Sequence, residues 1–387
     1  MLEVGQKEIN AIAEVLRSGQ MFRYHAGGQC ERFEQRYAEM LGVKHVCLTS
    51  SGTTALTAAM VGLEIGPGDE VVVPAHTYMA TAVAVLAAGA IPVLCDIDES
   101  ITLDPVALET VIGPRTRAVV PVHMWGVACD MRAIRRVAKK HDLLIVEDAC
   151  QAVGGSYRGK PLGTLGDAAG FSFNYFKNMT CGEGGAVATN RKAVANRVRT
   201  MIDCCNAYWT GRKADVRPFV SNGSRASEIE GALLNVQLDR IGTLVSRLRE
   251  QKQRIAAETA DAGLTPAPVH NPDGECATQI SYLFDTPARA DRFAERVGGT
   301  VTGKTGRHTY TEWDPILAKR GSHHPALDPF RLPANRGCRK QYGKTVCKAS
   351  LGLLARTVMV NLNPRATKTD VKQKIRAINE AAEAVLD

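Results

Sequence analysis

The chain contains Leu143-Leu-Ile-Val-Glu-Asp-Ala-Cys-Gln151, an apolar run that ends in two carboxylates and an amide. An apolar run without alternation predicts a strand that is buried on both faces, as in a parallel sheet covered by helices. Segments of helical and of strand character alternate from about residue 45 to residue 190, and we expect further strands over 45–49, 168–173 and 185–189. The sequence therefore predicts an α/β fold.

The composition predicts a soluble protein of two domains. The chain has 387 residues, of which 45% are hydrophobic and 23% are charged, and this length favours more than one domain. A long helix pattern over 228–248 precedes shorter elements, so we place a first domain at 1–240 and a second at 241–387. The most apolar stretch, Ala80 to Leu94, is interrupted by glycine and proline, and the first residues lack a secretory signal. We therefore expect a cytoplasmic protein with no membrane association.

Cysteine spacing and charge narrow the classes of partner. The eleven cysteines include no Cys-x-x-Cys pair and no paired Cys/His spacing typical of zinc, so we predict no metal site. From Val301 to the end, sixteen Lys and Arg stand against seven Asp and Glu, whereas the whole chain carries a net charge of +8. This segment contains no nucleic-acid reader motif, so we expect no nucleic-acid partner. Its basic side chains either bind an anionic small molecule or form a solvated helix face.

Asp148 lies at the carboxyl end of the predicted strand, where α/β sheets assemble ligand sites. A buried carboxylate needs a cationic partner, and a protonated pyridine nitrogen would be one. The alternative is that Asp148 caps a helix. Glu147 points to the opposite face of the strand, because successive side chains alternate, so we assign it no role at the same site.

A second motif, Ser50-Ser-Gly-Thr-Thr-Ala-Leu56, lies between a predicted strand and a helix of small residues. Its backbone N–H groups and hydroxyls would converge on the helix N-terminus, which is an anion-binding arrangement. Helix capping without a ligand is the alternative. Since neither Gly-x-Gly-x-x-Gly nor a Walker-type lysine follows, the motif argues against a dinucleotide or a nucleoside triphosphate.

A third motif, Phe171-Ser-Phe-Asn-Tyr-Phe-Lys-Asn-Met-Thr-Cys-Gly-Glu-Gly-Gly185, places Lys177 between aromatic residues and glycines. Such neighbours can desolvate an ammonium and lower its pKa, so we interpret Lys177 as a nucleophilic, Schiff-base lysine. A solvated lysine beside a glycine-rich turn is the alternative. An anion-binding helix start, an acidic strand end and a desolvated lysine together match the phosphate, the pyridine nitrogen and the aldehyde of one cofactor. The sequence therefore predicts pyridoxal 5'-phosphate as the cofactor.

Four segments then carry a more specific resemblance: Ser51–Leu56, Val73–Thr81, Glu147–Gln151 and Phe171–Gly185. In this order they resemble the DegT/DnrJ/EryC1/StrS family of sugar aminotransferases. The resemblance implies the type I fold of pyridoxal-phosphate enzymes, which is aspartate aminotransferase-like. That fold has a large domain with a mostly parallel seven-stranded sheet and a smaller C-terminal α+β domain. The resemblance also implies a homodimer whose subunits share their active sites.

The resemblance also assigns roles to single residues. Lys177 would hold the coenzyme and move protons, and Asp148 would pair with the pyridine nitrogen. Of the other cofactor-binding residues, Gly52, Thr53 and Ser172 would bind the phosphate, Tyr78 would stack on the ring, and Gln151 would lie near the phenolic oxygen. The partner subunit would lend an asparagine, here Asn222, which stands three residues before Arg225 and one place earlier than in the family.

These features predict a pyridoxal-phosphate-dependent aminotransferase that moves the amino group of L-glutamate or L-glutamine onto a keto or aldehyde sugar by a ping-pong reaction. The acceptor would be a nucleotide sugar or an acidic 8-carbon sugar, and a keto-cyclitol such as an inosose is the alternative. Sugar dehydratases of the family carry histidine in place of the lysine, so Lys177 argues against that activity. A non-catalytic binding or regulatory protein is the alternative from another class.

The C-terminal part of the chain offers candidate acceptor contacts. The segment Tyr310–Pro325 resembles that of a subgroup that includes enzymes acting on the terminal carbon of 8-carbon acidic sugars. Together with the basic excess of this region, it predicts contacts between cationic side chains and an anionic group of the acceptor. The candidate substrate-binding residues are Arg307, Lys319, Arg320 and His323. An uncharged cyclitol would not require them.

Overall fold

The structure, a computed structural model, describes residues 4–209 and 216–386; residues 1–3, 210–215 and 387 of the two predicted domains lie outside this description. The first strands are, in chain order, β1 (His45–Thr49), β2 (Glu70–Pro74), β3 (Ile91–Cys95), β4 (Thr116–Val119), β5 (Leu144–Asp148), β6 (Ser156–Tyr157), β7 (Lys160–Pro161), β8 (Ala168–Ser172) and β9 (Gly185–Thr189). All but the β6–β7 hairpin form one seven-stranded sheet in the order β1-β9-β8-β5-β4-β2-β3. Only β9 runs antiparallel to its neighbours in this sheet. The predicted α/β fold with a mostly parallel sheet is confirmed.

Helices cover both faces of this sheet. They are α1 (Gln6–Ser18), α2 (Gln29–Leu41), α3 (Gly52–Gly62), α4 (Ala80–Ala87), α5 (Pro105–Val111), α6 (Met131–Lys140), α7 (Lys192–Ile202), α8 (Asn206–Trp209) and α9 (Glu228–Leu238). In β2, Val71 and Val73 pack with residues of α3 and α4, whereas Val72 packs with residues of α5 and α6. Alternate side chains of one strand thus enter two separate cores, as the unbroken apolar runs predict.

The later part of the chain forms a second, smaller sheet. Its strands are β10 (Thr265–Pro266), β11 (Gln279–Leu283), β12 (Thr300–Val301) and β13 (Thr357–Asn361), arranged antiparallel in the order β10-β11-β13-β12. The accompanying helices are α10 (Ile241–Glu258), α11 (Pro287–Val297), α12 (Asp314–Leu317), α13 (Lys348–Ala355) and α14 (Lys368–Leu386). Short 3-10 turns occupy Met124–Gly126, Pro272–Gly274, Thr302–Lys304, Tyr310–Glu312, Pro325–Leu327 and Pro333–Asn335. This architecture is the α+β part of the predicted fold.

The continuous helix predicted over 228–248 is wrong, because the chain breaks between α9 and α10. The guanidinium of Arg36 donates to the backbone carbonyl of Asn235 at 3.0 Å. The N–H of Arg240 donates to the carbonyl of Gln237 at 3.2 Å, which closes a tighter turn. Arg36 of α2 thus contacts a carbonyl near the end of α9, and Gly242 follows the break in the first turn of α10.

A segment over residues 303–347 leaves the second sheet and covers the first. Trp313, Phe330 and Tyr342 are buried in the same core as α3 and α4. The Tyr342 hydroxyl also donates to the carbonyl of Pro92 in β3 at 2.7 Å. Much of the predicted second domain thus packs on the first, and the boundary at residue 240 stays a prediction.

Glu147 is fully buried and holds the loop between β7 and β8. One carboxylate oxygen accepts from the N–H groups of Leu165 and Gly166 at 2.5 and 2.6 Å, and the other accepts from Gly163 N–H at 2.9 Å. Nε2 of His123 lies 3.0 Å from the same carboxylate. A backbone N–H donates to Nδ1 of that ring at 3.2 Å, so the ring proton lies on Nε2. Glu147 therefore satisfies a set of buried donors on the side of β5 away from Asp148.

We expect Glu147→Ala to lower the stability of the fold by about 3 kcal/mol or more, because it leaves several buried donors without an acceptor. The thermal midpoint should fall by about 5 °C or more. Glu39→Ala, an exposed change on α2, is the matched control and should leave the midpoint within about 1 °C. Equal midpoints for the two variants would contradict this role of Glu147.

Candidate active site

The carboxyl ends of β5 and β8 border a cavity of about 450 Å³. Gln151, after β5, and Lys177, after β8, line it from the large sheet. Thr300 and Asn361 line it from the second sheet. The cavity thus lies between the two sheets, at the edge where parallel strands present ligand-binding residues.

Asp148 is buried at the end of β5. One of its oxygens accepts from the Thr81 hydroxyl at 2.7 Å, and the other accepts from the Cys150 N–H at 3.1 Å. The chain turns after Asp148 and begins no helix there, so the capping alternative does not hold. Because a carboxylate can accept about four hydrogen bonds, lone pairs remain for a cationic N–H.

The start of α3 meets the end of β8. Ser51 caps the helix, and its hydroxyl oxygen accepts from the Thr54 N–H at 3.1 Å. The N–H groups of Gly52 and Thr53 belong to the first turn and have no intrahelical acceptor. A Cβ on Gly52 would lie 2.7 Å from Cβ of Ser172, so only glycine lets these segments approach so closely. Gly52, Thr53 and Ser172 therefore form one small polar pocket for an anion.

Lys177 lies on the loop between β8 and β9 and lines the cavity. Its N–H donates to the carbonyl of Asn174 at 3.0 Å, and Oδ1 of Asn174 accepts from the Phe176 N–H at 3.1 Å, which closes a tight turn. Burial, the largest cause, lowers the pKa of the Lys177 amine, and the charge of Arg307 acts in the same direction. The nearby Asp148 carboxylate opposes this shift. The predicted desolvation of the lysine is present.

The aromatic residues that precede Lys177 divide between the core and the cavity. Phe171 and Phe173 are fully buried on the face of β8 opposite Ser172. Phe173 packs edge-on against Phe33 of α2, with ring centroids 5.6 Å apart. Of the aromatic run, Phe176 is the residue that lines the cavity.

Tyr78 and Gln151 both line the cavity, as the sequence predicts, and a third residue joins them. Oε1 of Gln151 accepts from the Trp125 N–H at 3.1 Å. Trp125 has φ of 48°, in the left-handed region that a tryptophan rarely adopts. Sequence reasoning missed Trp125, although it follows β4 at the same carboxyl edge. Its strained backbone is a feature that active-site residues often share.

Arg307 is the candidate acceptor-binding residue that lines the cavity. Its guanidinium lies over the Phe176 ring, 5.6 Å from the centroid. Lys319, Arg320 and His323 are exposed and lie outside the lining of the cavity. Asn222 is also exposed and outside the lining, so it does not reach the cavity of its own subunit.

Two further expectations concern metals and membranes. Over residues 4–209 and 216–386, one group has ligand atoms close enough to hold a metal ion, Asp203 with Cys204 and Cys205. Its carboxylate already accepts from the Arg225 guanidinium at 2.8 Å and from the Tyr24 hydroxyl at 2.9 Å. In the same part of the chain, each helix is too short or too polar to span a bilayer.

The cavity fits the predicted cofactor in three respects. The α3 start and Ser172 offer unclaimed donors for a phosphate, and Gly52 gives it room. Asp148 offers a buried carboxylate for a protonated ring nitrogen. Lys177 offers an amine whose pKa is lowered. Lys177 lines the cavity, and Asp148 and Gly52 lie next to Cys150, which also lines it, so the residues present fit pyridoxal phosphate.

Comparison with known proteins finds relatives that are similar in sequence over part of the chain. One is GDP-perosamine synthase of Caulobacter vibrioides, 45% identical over 214 residues, which are 54% of this chain and 56% of that protein. Another is dTDP-3-amino-3,4,6-trideoxy-alpha-D-glucose transaminase of Streptomyces venezuelae, 42% identical over 250 residues, which are 64% of this chain and 63% of that protein. Each matched stretch spans less than two thirds of the relative's own length.

Solved structures match over nearly the whole chain. DesV of S. venezuelae, solved in complex with a ketimine intermediate, has a TM-score of 0.77 and 31% identity, covering 97% of this chain and 94% of that one. An aminotransferase from Psychrobacter cryohalolentis shares the fold with a TM-score of 0.83 at 23% identity, covering 100% of this chain and 98% of its own. The model of one family matches residues 3–297. The chain therefore belongs to the DegT/DnrJ/EryC1/StrS aminotransferase family.

Proposed function

We propose that the protein is a pyridoxal-phosphate-dependent aminotransferase that moves an amino group from L-glutamate or L-glutamine to a keto or aldehyde sugar. The observation that carries this proposal is the position of Lys177 in the cavity lining, with Asp148 and Gly52 next to Cys150 of the same lining. A binding or regulatory protein would not need a lysine with a lowered pKa beside a buried carboxylate.

Each residue would contribute a separate step. Lys177 would attach the cofactor through its amine and, once released, would move a proton to and from the substrate carbon. A lowered pKa favours this, because only the neutral amine accepts a proton. Asp148 would keep the pyridine nitrogen protonated. When bound, pyridoxal phosphate withdraws electrons from the carbon that bears the amino group.

The acceptor proposal is a nucleotide sugar or an acidic 8-carbon sugar. The C. vibrioides relative is named for a GDP-linked sugar and the S. venezuelae relative for a dTDP-linked sugar, and these names support a nucleotide sugar. Arg307 supports either class, because a guanidinium at the cavity can bind a phosphate or a carboxylate. The exposed Lys319, Arg320 and His323 would reach an acceptor only at the rim or in a partner subunit.

We also propose a homodimer with shared active sites. Large hydrophobic side chains of α1, of the turn after it and of α8 are exposed: Ile9, Leu16, Met21, Phe22, Tyr208 and Trp209. Phe22 and Trp209 contact each other edge-on at 5.4 Å. Exposed apolar clusters of this kind typically mark interfaces. The segment of Asn222 lies beside this exposed surface, because Arg225 pairs with Asp203, which also accepts from the hydroxyl of Tyr24. From there Asn222 would reach the active site of the partner subunit.

The test of the proposed function is the covalent attachment of pyridoxal phosphate at Lys177. We expect the purified protein with this cofactor to show the visible absorbance band of a Schiff base. Borohydride reduction followed by peptide mass analysis should place the label on Lys177. Lys177→Arg keeps the charge but should remove the label, because a guanidinium stays protonated. Lys160→Ala, on the exposed β6–β7 hairpin, is the control and should keep it.

The same absorbance identifies the substrates. L-glutamate or L-glutamine should bleach the band of the parent protein, and so should the amino sugar that is the reaction product, since transamination is reversible. The probes are GDP-perosamine, dTDP-3-amino-3,4,6-trideoxy-α-D-glucose and an 8-amino 8-carbon acidic sugar. A label at Lys177 with no bleaching by any amine would contradict the aminotransferase proposal.

Asp148→Asn should slow bleaching by the amino acid by about 10²-fold or more, because the ring nitrogen would lose its anionic partner. The cofactor should still label Lys177, since an asparagine can keep the contacts with Thr81 and with the Cys150 N–H. Asp142→Asn, at the turn before β5, is the matched control. Near-normal bleaching by Asp148→Asn would refute its role.

Replacing both Phe22 and Trp209 by glutamate should convert a dimer into monomers, because burying two charges at an interface is unfavourable. Sedimentation velocity measures the outcome. Val106→Glu, an equally polar change at an exposed site on α5, should leave the dimer intact. If the double variant sediments like the parent, the interface lies elsewhere.

A further inference from the structure

We infer that His308 is a specificity-determining residue, and that Nε2 of its imidazole binds an uncharged hydroxyl of the acceptor sugar. This inference rests on the proposed function and assigns a residue that discriminates between its two substrates. His308 is next to Arg307, and both line the cavity that contains Lys177. His308 would take a neutral polyol group, and Arg307 would take an anionic one.

The position of His308 is fixed by the first domain. Its carbonyl accepts from the Thr77 N–H at 2.8 Å, and the next residue, Thr309, forms a β-bridge with His76. These contacts pair the segment around His308 with the segment that leads from β2 to Tyr78. The ring lies 5.9 Å from the Tyr78 ring and 5.6 Å from the Trp125 ring, between centroids. A side chain held in this way loses little entropy when it binds a ligand.

Several buried polar atoms without a hydrogen-bond partner cluster around this residue. Within residues 4–209 and 216–386 they include both ring nitrogens of His76, the hydroxyl of Thr305 and Nδ1 of His308. Buried unpaired polar atoms are costly, so native proteins keep few of them and concentrate them at functional sites. Because Nδ1 is shielded from solvent, His308 faces the cavity with the opposite edge of its ring, which carries Nε2.

The charge state of the ring selects the ligand. Burial lowers the pKa of His308 to about 4, and the nearby Arg307 and Lys177 act in the same direction. Burial also lowers the pKa of His76 to about 3. The imidazole that faces the cavity is therefore neutral near pH 7. A neutral imidazole pairs well with a hydroxyl, whereas the carboxylates of an amino-acid donor need a cation such as Arg307.

The experiment compares His308→Phe with His308→Gln in the protein loaded with pyridoxal phosphate. Phenylalanine keeps the packing against Trp125 and Tyr78 but has no polar atom, whereas the glutamine amide places one near the position of Nε2. The probes are L-glutamate, L-glutamine and the three amino sugars named above. We expect His308→Phe to raise the half-saturating amino-sugar concentration for bleaching by about 10- to 100-fold, and His308→Gln to recover most of it. The amino acid that bleaches the parent should bleach both variants at a similar half-saturating concentration.

A binding measurement without turnover completes the test. In a Lys177→Ala background loaded with the cofactor, calorimetry gives the dissociation constant of the same amino sugar, and His308→Phe should weaken it by a similar factor. His141→Phe, on the outer side of α6, is the control. Unchanged amino-sugar binding in His308→Phe, equal losses for sugar and L-glutamate, or an absence of amino-sugar binding in the parent would each overturn the inference. Failure of both L-glutamate and L-glutamine, and of every amino sugar, to bleach the parent would instead refute the proposed function.

Discussion

Two neighbouring carboxylates at the end of β5 point to opposite faces of the central sheet, and the cavity depends on this alternation. Glu147 enters a shell of backbone N–H groups, whereas Asp148 accepts from the N–H of Cys150, a residue that lines the cavity. Parallel pairing of β5 with β4 and β8 fixes which residue faces which way. A slip of one residue would exchange the two side chains, leaving the loop donors unpaired and a different carboxylate at the cavity. The register of the sheet therefore determines which of the two carboxylates lies on the side of the candidate active site.

Phe173, a core residue, holds the loop that carries Lys177 through two backbone hydrogen bonds. The Phe173 N–H donates to the carbonyl of Gly184 at 2.9 Å, and the Phe173 carbonyl accepts from the Cys181 N–H at 3.0 Å. The Phe173 ring is buried against α2. Phe173 thus positions the loop of Lys177 from the core side, whereas Phe176 lines the cavity beside the lysine. Desolvation comes from the walls of the cavity, which the second sheet completes.

Local patterns predict the parts of the structure that local residues determine. The strands over 45–49 and 185–189 have their predicted bounds, because apolar β-forming runs there end at polar or glycine-rich turns. Asp148, Gly52 and Lys177 each follow or precede such a strand, so their meeting at one sheet edge is also predictable. Contacts between residues far apart in the sequence are not predictable in this way. Arg36 contacts the end of a helix some two hundred residues later in the chain, and His308 reaches the cavity through pairing between segments far apart in sequence.

That long-range pairing also determines the charge of the cavity. Arg307 arrives with the same segment as His308, and its charge helps to lower the pKa of Lys177. A third basic residue of the lining, Lys304, pairs with Asp291 at 2.6 Å. The buried carboxylate of Asp148 lies near Lys177, while the histidines His76 and His308 stay neutral. A cavity with this balance favours anionic ligands, and it favours a neutral lysine amine over a second cation. The segment over 303–347 therefore contributes to the reactivity of Lys177 as well as to the shape of the cavity. Both sheets and this segment line the same cavity.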